Sequence, residues 1–167
     1  MPRFFFMALM GALALPVLAD SADGVDQYVG VGSFNNGLFG DYQIGNKYGN
    51  IELRAGQFRQ MGGGWNFNMS VRRYIEQDAN VDGFYVGGYV GQVDVIQVGS
   101  NLVSRTGAGF EMGYQWVSPY VKEELFGGLG IDRQESQGTS AVQATPSFLV
   151  GVSVSLNLHP KRRALSH

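Results

Sequence analysis

The stretch RTGAGFEMGYQWV, residues 105–117, alternates without a break. Thr106, Ala108, Phe110, Met112, Tyr114 and Trp116 fall on one side of an extended chain. Arg105, Gly107, Gly109, Glu111, Gly113 and Gln115 fall on the other. A sustained period of two is a β-strand with one apolar and one polar face. This feature constrains the fold most, because the strand needs an oily medium on one side only. That medium is either a protein core or lipid.

The same period recurs along the chain. Strands are expected near residues 26–34, 38–45, 50–60, 64–77, 83–97, 102–117, 120–134 and 145–158. Turn residues separate them: Asn35–Gly37, residues 46–49, the glycines at 62–64, residues 78–83, 98–101, Ser118-Pro119, and a long connection through 135–144. In strand eight, Phe148, Val150, Val152, Val154, Leu156 and Leu158 oppose Ser147, Leu149, Gly151, Ser153, Ser155 and Asn157. In strand four, Trp65, Phe67, Met69, Val71 and Ile75 oppose Asn66, Asn68, Ser70, Arg72 and Tyr74. Strand seven sets Val121, Leu125, Leu129 and Ile131 against Lys122, Glu124, Gly128 and Asp132. In strand two, Leu38, Tyr42 and Ile44 face away from Asp41 and Gln43. The Asn36-Gly37 turn predicts Val31 opposite Tyr42 and Val29 opposite Ile44, which puts both valines on the apolar face. Strand five does not resolve, although Gln92 and Asp94 share a side.

The polar face decides between core and lipid. It carries Gly, Ser, Asn and Gln with isolated charges of both signs, whereas a soluble barrel needs a densely charged exterior. Only 16% of residues are charged, and 25 are glycine; ordinary soluble domains carry about 25% charge. The apolar face is long, continuous and bounded by aromatics. Eight strands can close without leaving an edge, and about 9–11 residues per tilted strand suffice to cross a bilayer. The fold class expected is therefore all-β, an eight-stranded antiparallel up-and-down transmembrane barrel over residues 20–158. Phe110, Met112, Tyr114, Trp116, Val150, Val152 and Val154 are expected to face lipid.

Localisation and topology agree with this. Arg3, an apolar run from Phe4 to Leu15, and Val17 and Ala19 before a cleavage point predict a secretory signal peptide over residues 1–19. No cysteine offers a disulfide or a thiolate ligand. With the N-terminus periplasmic, the turns at 46–49, 78–83 and 118–119 lie inside and the long 135–144 connection outside, as bacterial barrels arrange them. Aromatic belts then form from Trp65 and Phe67 at the outer rim and from Tyr114, Trp116 and Tyr120 at the inner one. The lipid-facing misfits Arg73 and Glu123 fall near the periplasmic ends, where a charge costs roughly 0–1 kcal/mol. Residues 159–167 form a short periplasmic tail.

The segments GFYVGGYVG, RTGAGFEMGYQWV and PSFLVGVSVSLNL resemble those of small bacterial outer-membrane β-barrel proteins, of the opacity-protein and outer-membrane-protein-A transmembrane-domain type. Gly151, Val154, Leu156 and Leu158 are similar to that family's C-terminal assembly signal. The resemblance implies residence in a Gram-negative outer membrane. It also implies contact with outer-membrane lipid and lipopolysaccharide, and insertion by the barrel-assembly machinery. The chain is expected to act as a monomer.

An eight-stranded interior is filled by side chains. The expected lumen charge network is Asp41, Glu52, Arg54, Arg72, Glu111, Lys122 and Glu124, paired because an unpaired charge there is costly. If residues 45 and 50 oppose each other, Gln43 faces Glu52 and Asp41 faces Arg54, which predicts an Asp41–Arg54 contact. The functional alternative is a narrow ion or small-solute channel; a further one is a secreted, soluble, lipocalin-like binder. Neither catalysis, nor a metal, nor a cofactor is expected. His159 and His167 lie in the tail, far from an outer rim where a general base would be needed. Asp132 and Glu135 show no acid–base spacing, and the glycine clusters lack the Lys-Ser/Thr of a phosphate loop. The one basic cluster, Lys161-Arg162-Arg163, gives nucleic-acid binding no support.

Overall fold

The computed structural model describes residues 25–35, 37–58, 65–76, 81–98, 101–135 and 142–158, and the side chains of all these except 58, 94–98, 101–104, 134–135 and 142–143. The expected signal peptide, the tail with both histidines, and the centres of the loops at 59–64, 77–80, 99–100 and 136–141 lie outside the described residues. So do the side chains of Asp94 and Glu135.

Eight strands close into one antiparallel barrel in chain order. They are β1 (Asp26–Phe34), β2 (Gly37–Asn46), β3 (Gly49–Phe58), β4 (Trp65–Tyr74), β5 (Gly83–Val98), β6 (Asn101–Val117), β7 (Val121–Glu135) and β8 (Val142–Asn157). The seam pairs β1 with β8, from Tyr28 opposite Asn157 to Phe34 opposite Gly151. One end of the barrel carries the tight turns at 47–48 and 118–120 together with Asp26 and Asn157; call this the turn end, and the other the loop end.

The interior width follows from the register. A row that starts at Gly30 runs through Asp41, Arg54, Asn68, Gly91, Gly107 and Asp132 to Thr145. Across the seam, however, Gly30 meets Ser155, ten residues from Thr145. A stagger of that size tilts the strands and leaves an interior that side chains fill. Strand parity sorts the faces as the sequence predicts, apart from Val71, expected on the apolar outer face of strand four and buried at 2%. Outward Val31, Phe67, Phe110, Met112, Leu129, Phe148 and Val150 are each at least 60% exposed, whereas Gln43, Glu52, Ser70, Lys122 and Ser155 are at 0%.

Three local expectations need correcting. The first turn is tighter than expected: Phe34 pairs with Gly37, so Val29 meets Tyr42 and Val31 meets Gly40. The slip is two residues, which preserves parity, and both valines still face outward. Strand four ends sooner, at Tyr74, while residues 59–60, expected to finish strand three, lie outside the described residues. Strand five resisted reading because it is bulged. Gln92 pairs with Thr106 and Asp94 with Arg105, which leaves Val93 as an extra residue and breaks the period. Just before the bulge, Gly91 sits at φ +142°, and a Cβ there would press on the backbone of Phe67 and Asn68. Only glycine fits.

Inward glycines receive inward rings from the neighbouring strand. Gly113 lies opposite Tyr85, and a Cβ on it would come within 2.5 Å of the ring. Tyr89 lies against Gly128 and Gly130, and Phe126 against Gly151. The rings thereby lie flat along the wall, as aromatic rescue of strand glycines requires.

Candidate functional site

Among the described residues, the lumen holds most of the buried charge. Arg54 and Arg72 project from adjacent strands β3 and β4 into its centre, and both are 1% exposed. Arg54 Nη2 reaches Glu52 Oε2 at 2.7 Å, and both its terminal nitrogens reach Glu111 Oε2 at 3.3 Å. Arg72 is the hub. Its Nε donates to Glu111 Oε1 at 2.6 Å, its Nη1 to Glu124 Oε2 at 3.0 Å, and its Nη2 pairs with Glu52. Lys122 Nζ lies 3.2 Å from Glu124 Oε1.

Three cations therefore meet three carboxylates, and the sextet is neutral. Neutral side chains complete it. Ser70 donates to Glu111, Ser153 Oγ to Glu124 Oε2 at 3.0 Å, and Lys122 to Gln43. Gln43 Oε1 also accepts from Asn50 Nδ2 at 2.7 Å. Such pairing is what makes buried charge tolerable, because desolvation of an isolated ion is prohibitive.

Of the seven charges expected in the lumen, the structure brings Glu52, Arg54, Arg72, Glu111, Lys122 and Glu124 into this one cluster. Asp41 is buried as well, but the expected Asp41–Arg54 pair does not form. The two are opposite in register, yet Asp41 Oδ2 accepts from Gln43 Nε2 at 2.9 Å and Ser155 Oγ at 3.0 Å. Arg54 is long enough to cross the lumen to Glu111 on β6, and two carboxylates outcompete one. Sequence reasoning set Gln43 opposite Glu52, as the register shows, and placed Ser70, Ser153 and Ser155 on the polar face without giving the serines partners.

The inward aromatics were missed as part of the site. Their signal was an apolar residue on the polar parity, as at Phe39 and Phe126. The Arg54 guanidinium lies 4.3 Å from the centroid of Phe126, and that of Arg72 lies 4.5 Å from Tyr85. Lys122 Nζ stands 4.3 Å from Tyr28. On the loop-end side, Phe34, Phe39, Tyr89, Val93, Phe126 and Leu149 form a continuous buried apolar cluster, with Phe34 and Phe39 5.3 Å apart. A salt-bridged layer thus lies beneath a greasy one. Each named carboxylate of the sextet contacts at least one cation.

Outside, Trp65 and Phe67 begin β4 at the loop end, 65% and 63% exposed. Phe84, Tyr114 and Trp116 stack along the turn end, with centroids 4.8 and 4.9 Å apart, beside exposed Tyr120. Val150, Val152 and Val154 continue the apolar surface on β8. Arg73 and Glu123 point outward near the turn end. Near the loop end Asp132 Oδ2 pairs with Arg105 Nη2 at 3.1 Å, both on the inner face. Among the described residues no cluster of three or more acidic or histidine side chains could hold a metal ion, and no helix is long and apolar enough to cross a membrane, which does not bear on strands. Comparison with known protein families, curated proteins and solved structures finds no match.

Proposed function

We propose that this chain is an exported, monomeric, integral outer-membrane β-barrel with a plugged polar lumen, serving a structural or surface-contact role without catalysis. One observation carries the reading: the barrel is inside out relative to a soluble one. Its exterior presents a ring of Val, Leu, Phe and Trp side chains, and its centre is an ion-paired cluster with no exposed side-chain surface. Water is the wrong solvent for that exterior, and hydrocarbon the right one. The aromatic girdles at both ends and the rim positions of Arg73 and Glu123 suit a bilayer about 25 Å tall. A lipocalin-like binder would have the opposite polarity.

Cell fractionation with a heat-modifiability gel tests the location. Membrane recovery and a folded form of altered mobility are expected; a mature protein that stays dispersed in buffer without detergent refutes the reading. Planar-bilayer recording tests the plug: no sustained openings are expected, and stable nanosiemens conductance would replace the plugged barrel by a channel. The partners that follow are outer-membrane lipid, lipopolysaccharide and, during insertion, the barrel-assembly machinery.

A further inference from the structure

The tip between β1 and β2 makes contacts that strand pairing does not require. Asn35 occupies the left-handed region at φ +46°, where Asn is among the few side chains at ease. Its backbone N–H extends the seam by donating to Val150 O at 2.9 Å. Its Oδ1 accepts from Val150 N at 3.1 Å. Its Nδ2 donates to Phe148 O of β8 at 3.1 Å and to Val93 O of β5 at 2.9 Å. In a ring of eight strands, β5 is four places from β1 and stands on the opposite wall. One carboxamide therefore spans the mouth. It can do so because Val93 is the extra residue of the bulge, turned inward and fully buried.

Nearby polar atoms are unsatisfied. Both amide atoms of Asn66 and Nδ2 of Asn68 have no hydrogen-bond partner, although these residues are at most 4% exposed, and Ser147, 6% exposed, meets the Tyr89 hydroxyl. Ser147 adjoins the Phe148 carbonyl that Asn35 holds. Asn68 Oδ1 faces Arg54 Nη1 at 3.5 Å, so this shell rests on the ion cluster. Unpaired buried amides favour whatever state hydrates them. The closed mouth is held against that tendency.

We propose that Asn35 is a latch across the loop-end mouth. Closed, it excludes solvent from the shell of Asn66, Asn68 and Ser147; released, it admits water and small neutral solutes as far as the ion cluster and no further. The inference needs the barrel alone, not its membrane location.

The sharpest variant is Asn35→Asp. It keeps the size, the backbone preference and the acceptor for Val150 N–H, but sets a carboxylate oxygen against two carbonyl oxygens. The chain has no cysteine of its own, so Ser147→Cys and Ser153→Cys each report alone on reaction with a small neutral methanethiosulfonate, followed by mass. Measured on folded protein in micelles, Asn35→Asp should speed labelling at 147 at least about tenfold, because two ordinary hydrogen bonds are lost, and leave 153 unchanged. Asn35→Gly should act in the same direction. Equal rates at 147 with and without the substitution would overturn the latch. So would equal acceleration at 153, which would mean general loosening. Should Ser147→Cys fail to fold, Asn66→Cys gives the same reading.

Discussion

Arg72 touches all three glutamates of the lumen cluster and lies over Tyr85. Replacing it by methionine keeps much of the stem's volume and removes the charge. Three carboxylates then face only Arg54 and Lys122, and the sextet carries one uncompensated negative charge. Removing one partner of a buried pair costs about 3–5 kcal/mol, and losing a desolvated cation–π contact about 2 kcal/mol or more. Arg72→Met should therefore lower the unfolding free energy by about 5 kcal/mol, toward the upper end because the hub has three acceptors. Arg72→Lys restores the charge but cannot reach three carboxylates at once, so an intermediate loss of about 2–3 kcal/mol is expected. The double variant Arg72→Met/Glu124→Gln returns the cluster to neutrality and should be less destabilised than Arg72→Met alone, by about 1–3 kcal/mol. Urea titration in micelles, followed by the fluorescence of Trp65 and Trp116, reads all three. Loss of less than about 1 kcal/mol in Arg72→Met, or strict additivity in the double variant, would refute the claim that charge balance holds this interior together.

Outward Met112 is 60% exposed and Gln115 is 1% exposed, so parity can be tested directly. Met112→Arg should stop assembly in a heat-modifiability assay, at about 2–4 kcal/mol for a mid-depth charge. Gln115→Ala, whose lost contacts include the hydrogen bond to Val81 O at 3.0 Å, should assemble at a cost of about 1 kcal/mol per hydrogen bond removed; equal tolerance of both removes the facing argument. Gly113→Ala should cost about 1–3 kcal/mol in the urea assay because its Cβ enters the Tyr85 ring. Gly127→Ala, whose nearest neighbour would be Leu149 O at 3.6 Å, should cost nothing measurable, and the opposite order would deny the ring-on-glycine packing.

The strands were legible in the sequence wherever the period of two ran unbroken, as in β6 and β8. Turn residues then located the connections within a few positions. The span of β5 was legible but its faces were not, because the extra residue Val93 shifts the alternation and no composition signal marks a bulge except Gly91 just before it. The register of β2 on β3 was correct down to Asp41 opposite Arg54, and still the partner inferred from it was not. Neighbour logic covers adjacent strands, whereas a guanidinium at the centre of a narrow cylinder chooses among all the walls. Arg54 took Glu111, 57 residues away. The Asn35 bridge was hidden for the same reason: it spans the mouth rather than the ladder.

The ion cluster draws on β3, β4, β6 and β7, and its polar supports come from β2 and β8. Within the cluster the β3–β4 hairpin (Glu52, Arg54, Arg72) carries one excess positive charge and the β6–β7 hairpin (Glu111, Lys122, Glu124) one excess negative charge, and the bond from Ser155 to Asp41 exists only once β8 has come round to the first hairpin. A half-wound sheet therefore carries separated charge, and only the curl of β3 to β7 round the lumen brings the two halves into contact. An out-of-register seam would leave the sextet paired but would strip Glu124 and Asp41 of the Ser153 and Ser155 hydroxyls that β8 brings to them.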